Sequence, residues 1–165
     1  SSDLKDRVFK VIKIAEEACN KLGISKPKIA VAGLNPHAGE NGMFGMEEIE
    51  EIIPAINQAR ELGVDVDGPI PPDTVFSKLN GKLYDICVCM YHDQGHIPTK
   101  LLAFQWDEKK QKWNSVSGVN ITMGLPIIRV SVDHGTAFDI AGKGIASEES
   151  MANAIYYAVQ LAKHK

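Results

Sequence analysis

The stretch Tyr84-Asp85-Ile86-Cys87-Val88-Cys89-Met90, followed at once by Tyr91-His92-Asp93-Gln94-Gly95-His96, decides how this chain is read. Its first seven residues are rich in β-formers and lack a solvent-facing alternation, which predicts a strand covered on both faces. The residues after it crowd two imidazoles and a carboxylate around a glycine. In an α/β sheet, ligands sit in the crevice beyond the carboxyl ends of such strands. The same arrangement occurs upstream, where the apolar run Ile29-Ala30-Val31-Ala32-Gly33 leads into Leu34-Asn35-Pro36-His37-Ala38-Gly39-Glu40.

Working outward, Leu4, Val8, Ile12, Ala15, Cys19 and Leu22 recur at helical spacing, with Asp3 available as N-cap and Gly23 as terminator. A strand is predicted over residues 28–33 and a helix over 47–62, kinked or divided at Pro54. Residues 64–74 read as a loop, with Asp73 or Thr74 placed to cap a short helix. Between Phe104 and Ser117 the polar sequence suits a surface hairpin in which Trp106 and Trp113 shelter each other. A strand over 126–132, a glycine-punctuated loop and a helix over 148–162 capped by Ser147 complete the chain. Helices alternating with buried strands make the class α/β.

The bulk composition excludes several roles. The chain has 165 residues, of which 44% are hydrophobic, enough for a real core. A formal charge of -3, with no long block of one sign, provides no basic field for nucleic acid. No apolar run suits a membrane span, and the N-terminal residues lack a signal-peptide pattern, so a cytoplasmic protein is expected. Cys19, Cys87 and Cys89 are odd in number, and the latter two are read as pointing to opposite faces of a strand, which argues for reduced thiols.

A metal-bound histidine needs a neutral ring nitrogen, a fixed rotamer and an acceptor for its other N–H. The loops around Pro36 and Gly95 offer rigidity to His37 and His92, and Asp93 or Glu40 could be the acceptor. A structural hydrogen-bonding role for these histidines is the competing reading. Their spacing is read as neither a zinc finger nor H-E-x-x-H. The loop 132–146 has glycines at 135, 142 and 144, which allow close approach of a flat or phosphorylated ligand, with His134 and Asp139 at its edge. It is not a G-x-G-x-x-G fingerprint.

That loop resembles the adenosine-binding loop of the isocitrate and isopropylmalate dehydrogenases, whose pattern is His-Gly-Ser-Ala-Pro-Asp-Ile-Ala-Gly-Lys-Gly-Ile-Ala, with Thr136 here in place of serine and Phe138 in place of proline. Taken with Asn35-Pro36-His37-Ala38-Gly39-Glu40, Pro72-Asp73-Thr74, Tyr91-His92-Asp93-Gln94-Gly95 and Gly118-Val119-Asn120-Ile121-Thr122-Met123-Gly124-Leu125-Pro126, the chain resembles the 4-hydroxythreonine-4-phosphate dehydrogenases of vitamin B6 biosynthesis from end to end. The resemblance implies an isocitrate/isopropylmalate dehydrogenase-like α/β/α sandwich, of which these residues are the C-terminal half, and a third metal-binding histidine outside this sequence. It implies that His37 and His92 ligate a divalent metal (zinc, magnesium, manganese or cobalt) in a site shared across a homodimer. It implies that Lys100, Asn120 and Arg129 bind the phosphorylated substrate, and that His134, Gly135, Thr136, Ala137 and Asp139 hold NAD.

The reaction so implied is NAD-dependent oxidation of 4-phosphohydroxy-L-threonine, with loss of its carboxylate, to 3-amino-2-oxopropyl phosphate. Asp93 and Asp73 are candidates for proton transfer or for orienting a ligand; capping or turn formation is the alternative for each. His96 and the Trp106–Trp113 insertion resemble family members that oxidise 4-phospho-D-threonate or 4-phospho-D-erythronate in sugar-acid catabolism. Two rivals remain: an inactive metal-binding dimerisation fragment, and a metal-dependent hydrolase, which would leave the glycine loop without a ligand.

Overall fold

The computed structural model describes residues 4–103, 106–109, 111–113, 118–133, 135–136 and 138–163. The chain divides into two compact units, residues 1–96 and 97–165. The first is built on helices α1 (Leu4–Lys21), α2 (Ile53–Glu61) and α3 (Pro72–Asn80) and strands β1 (Ile29–Ala32), β2 (Val66–Ile70) and β3 (Ile86–Val88). Its strands form a parallel sheet in the order β2-β1-β3.

Residue size along β1 determines what packs on each face. Ile29 and Val31 point one way, into a cluster with Val8 and Ile12 of α1 and with Ala55, Ile56 and Ala59 of α2. Ala30 and Ala32 point the other way, where their small side chains admit Val75 and Phe76 of α3. Helices thus cover both faces of the sheet, the α/β/α layering expected. All four residues of β1 are fully buried, whereas Ile86 and Cys87 of β3 are only partly so. The strand covered on both faces is therefore β1; β3 is an edge strand among the described residues.

Pro54 divides its helix as expected. A wide π-type turn, Glu48–Ile52, gives way to α2 at Ile53, so helical backbone continues through the junction and the proline falls where the pitch of the helix changes. Two expectations fail here. Residues 66–70 form β2 rather than loop, an edge strand that tolerates Gly68 and Pro69 because one side needs no ladder. Neither Asp73 nor Thr74 caps α3: its N-cap is Pro71, and the Thr74 hydroxyl donates to the Pro71 carbonyl instead.

Helix α4 (His92–Ala103) begins in the first unit and continues into the second. The second unit also holds the hairpin β4 (Trp106–Asp107) and β5 (Lys112–Trp113), the antiparallel pair β6 (Val119–Thr122) and β7 (Arg129–Val132), and α5 (Glu149–Lys163). Trp106 pairs with Trp113 along the backbone; whether their indoles shelter one another lies outside what is described. The Ser147 hydroxyl accepts the Glu149 N–H at 3.4 Å, at the predicted start of α5. The Asp3 cap also lies outside the described residues. Among those described, no helix is long and apolar enough to cross a membrane.

Candidate active site

The adjacent parallel strands β1 and β3 both end in histidine-bearing loops, and one side chain ties the two ends together. Gln94, only 5% exposed, accepts the Met90 N–H on Oε1 and donates from Nε2 to the Gly33 carbonyl, both at 2.8 Å. Sequence reading assigned Gln94 no role. Its only signal is a polar residue on the inward side of the first turn of α4.

Beyond β1 the chain makes an unusual turn over Pro36–Gly42. His37, Ala38, Glu40 and Asn41 all have positive φ, between 44° and 56°, and Gly39 between them has φ 83°. Left-handed backbone costs an L-residue about 1–2 kcal/mol, so the four non-glycine residues together cost roughly 4–8 kcal/mol. Glu48, at 1% exposure, holds the base of this turn. Its Oε1 accepts the backbone N–H groups of Leu34 and Asn35, both at 2.8 Å, and its Oε2 accepts Asn35 Nδ2 at 2.9 Å. Burial pushes the Glu48 carboxyl upward, but the hydrogen bonds from Asn35 and Leu34 outweigh it and leave the group below its ordinary value. A second glutamate, Glu47, accepts the other Asn35 Nδ2 hydrogen at 2.7 Å.

The turn presents His37 outward. Its Nδ1 lies 2.8 Å from Glu40 Oε2, and Phe44 packs edge-on against the ring at 5.8 Å. A carboxylate accepting from Nδ1–H leaves the Nε2 lone pair of the neutral ring pointing away, the arrangement that prepares an imidazole for a metal. Of the two acceptors expected, Glu40 is the one in contact. At the end of β3, His92 opens α4 as an exposed residue, and its ring stacks on His96, with centroids 4.0 Å apart and planes 20° apart. His92 and His96 stand four residues apart, with Asp93 directly after the first. Among the described residues, no three His, Cys, Asp or Glu side chains gather into a metal-holding group. The donor chemistry of His37, backed by Glu40, fits a metal nonetheless.

Asp93 and Asp73 are exposed, in the first turns of α4 and α3. Cys87 and Cys89 do not diverge as expected, because residues two apart on a strand share a face. The hydrogen bond between their thiols raises Cys87 and lowers Cys89; burial adds to the rise at Cys87 and opposes the fall at Cys89. Cys89 Sγ also lies beside Gly95, where an added methyl would sit 3.1 Å away.

In the second unit, Lys100 Nζ donates to the Asp133 carbonyl at 2.7 Å and to its Oδ2 at 2.8 Å. Asn120 pairs with Ser131 and Thr122 with Arg129, so these four polar side chains share one face of β6 and β7. Arg129 donates to Thr122 Oγ1 at 2.7 Å. In the glycine loop Gly135 and Thr136 are exposed, and Asp139 falls in the short turn Phe138–Ile140. His134, Ala137 and the Asp139 side chain lie outside the described residues.

Residues 4–158 match the family described as pyridoxal phosphate biosynthetic protein PdxA, and the chain belongs to it. It is 57% identical over 156 residues to a D-threonate 4-phosphate dehydrogenase of Salmonella typhimurium, covering 94% of this chain and 44% of that protein. It is 51% identical over 153 residues to a 4-hydroxythreonine-4-phosphate dehydrogenase of Beijerinckia indica, covering 93% of this chain and 42% of the other. The crystal structure of a 4-hydroxythreonine-4-phosphate dehydrogenase from Klebsiella pneumoniae superposes with a TM-score of 0.77 at 52% identity, over 96% of this chain and 44% of that one. The chain therefore spans less than half the length of the relatives it matches.

Proposed function

We propose that these residues are the C-terminal half of a two-domain, homodimeric, cytoplasmic dehydrogenase that oxidises the C3 hydroxyl of a 4-phosphorylated hydroxy acid with NAD and releases the neighbouring carboxylate. The observation that carries the reading is the pair of histidine loops at the carboxyl ends of β1 and β3, cross-tied by Gln94, in a chain belonging to the PdxA family. The half-chain reading is supported by the length of the relatives.

His37 and His92 would hold a divalent metal, zinc, magnesium, manganese or cobalt, shared across the dimer. When bound, the metal supplies Lewis-acid stabilisation of charge on the substrate oxygens, and NAD accepts the hydride. Lys100 and Arg129 neutralise phosphate or carboxylate, the arginine in bidentate fashion, and Asn120 hydrogen-bonds beside them. The loop bearing His134, Gly135, Thr136, Ala137 and Asp139 takes the dinucleotide. An acidic residue at 139 and no arginine in the loop favour NAD over NADP. Asp93 or Asp73 accepts the hydroxyl proton as the hydride leaves C3. The resulting β-keto acid loses CO2, and the enol gains a proton on carbon. A hydrolase would make no use of the glycine loop.

The preferred substrate in this reading is 4-phospho-D-threonate, supported by the higher identity to the Salmonella relative of that name and by His96. The names of the Beijerinckia and Klebsiella relatives favour 4-phosphohydroxy-L-threonine as a second reading. The two compounds differ at C2, which bears a hydroxyl in one and an ammonium in the other. NADH formation by the full-length polypeptide is expected with both, at a higher kcat/KM for 4-phospho-D-threonate. No NADH from either overturns the reading; the reverse preference restores the vitamin B6 substrate.

A further inference from the structure

The stacked pair on α4 provides two metal donors within one helix. Residues four apart share a helix face, and between His92 and His96 the intervening Gln94 turns into the core. Stacking is one arrangement open to two neutral imidazoles at this spacing; turning a ring nitrogen of each toward the same ion is another. Metal–nitrogen bonds of about 2.0–2.1 Å require the two nitrogens to be about 3 Å apart. Rings with centroids 4.0 Å apart reach that by rotation, and the exposed His92 ring has solvent around it to turn in.

We infer that His92 and His96 form an intrahelical chelate for a divalent transition metal. Imidazole donors select zinc, nickel, cobalt or copper(II) over magnesium, which prefers oxygen. The other coordination positions stay open to water or to an oxygen of the substrate. The inference rests on the proposed role of His92 as a metal ligand and goes beyond it: in the 165-residue chain His96 completes a chelate on α4 that holds the ion before His37 of the shared site is engaged.

Titration calorimetry with zinc and nickel chloride on the 165-residue chain separates the two arrangements. The wild-type chain is expected to bind one ion. His92→Ala and His96→Ala should each weaken binding by about 100-fold, the loss expected when two-point attachment becomes one-point, and His37→Ala should change it little. Imidazole NMR on the wild-type chain gives a readout that needs no variant, since the ring signals of His92 and His96 should move together as one equivalent of zinc is added. Wild-type affinity in His96→Ala overturns the chelate, as does failure of the wild-type chain to bind either ion, or displacement of zinc by a modest excess of magnesium. If His37→Ala and His92→Ala weaken binding and His96→Ala does not, the chelate fails while the shared metal site of the proposed function stands. Turnover of the full-length polypeptide tests that function separately.

Discussion

Replacing Glu48 by glutamine removes one charge and leaves the shape of the side chain almost unchanged, so it isolates what that charge contributes to the left-handed turn. The wild-type carboxylate accepts two backbone N–H groups on Oε1 and one amide hydrogen on Oε2. Hydrogen bonds to a charged acceptor contribute about 1.5–3 kcal/mol each and neutral ones about 1 kcal/mol, so two weakened backbone bonds lose roughly 1–4 kcal/mol. The new amide nitrogen also faces Asn35 Nδ2, donor against donor, and Asn35 cannot flip without losing its bond to Glu47. Together these make a destabilisation of about 2–5 kcal/mol for the first unit, a large fraction of the total stability of a domain. Glu48→Ala strands two buried N–H groups outright and should cost at least as much.

Urea unfolding with an unchanged m-value reports the loss, and hydrogen exchange at the Leu34 and Asn35 amides localises it. The pH dependence carries a definite sign. The folded Glu48 carboxyl lies below its ordinary value of 4.5, so between the two values the unfolded chain binds more protons than the folded one. Its contribution is therefore complete above the unfolded value and is lost as pH falls through the folded one. The stability gap between wild type and Glu48→Gln should be flat near neutrality and narrow below about pH 4.5. A gap under about 0.5 kcal/mol at neutral pH, the range of an ordinary surface substitution, or one that fails to narrow in acid, would refute the reasoning.

Gly33→Ala should destabilise the first unit by about 1–3 kcal/mol, because the new methyl would lie 2.9 Å from Ala38 Cα; a melting temperature within a degree of wild type would show that the turn gives way freely. Ala38→Gly, by contrast, should raise stability by about 0.5–1 kcal/mol, since glycine accepts the positive φ that alanine resists, and denaturant midpoints would reveal a loss instead if the turn were unstrained. Gln94→Ala strands the Met90 N–H and the Gly33 carbonyl at roughly 1–3 kcal/mol each, and faster amide exchange at Met90 is the local signature to look for. Among the thiols, iodoacetamide at pH 8 should modify Cys89 ahead of Cys87 and buried Cys19, because the Cys87 hydrogen bond favours the Cys89 thiolate; mass spectrometry showing Cys19 first would contradict this.

What could be read in advance follows from the distance over which each feature is encoded. The periodicity of α1, the apolar run of β1, the division at Pro54 and the Ser147 cap are local patterns, and each appears close to where its pattern puts it. The strand β2 escaped because Val66-Asp67-Gly68-Pro69-Ile70 carries turn residues, and only pairing with a buried neighbour makes it a strand. The histidine positions were legible from the motifs, but not the device that orients them. Glu48 sits in a run with Glu47, Glu50 and Glu51, and nothing in the run marks it as the one that turns inward.

The reason lies in how the site is divided between local and distant residues. His37 with Glu40, and His92 with His96, are pairs three or four residues apart, so each loop carries its own chemistry. Glu48 to Leu34 spans 14 residues and holds the base of the first loop, while Gln94 to Gly33 spans 61 and, with the pairing of β1 and β3, ties that loop to the second. Gln94 reaches the carbonyl at the end of β1, while Glu48 grips the next two amides along the same chain. The strained turn is thus held from both sides at its first residues and left open at His37. Loss of either anchor should release strain through the turn and loosen the His37 ring before it touches the sheet. Relaxation of the His37 imidazole in Gln94→Ala that matches wild type, despite a measured loss of stability, would mean that the two anchors support the fold and have no part in aiming the site.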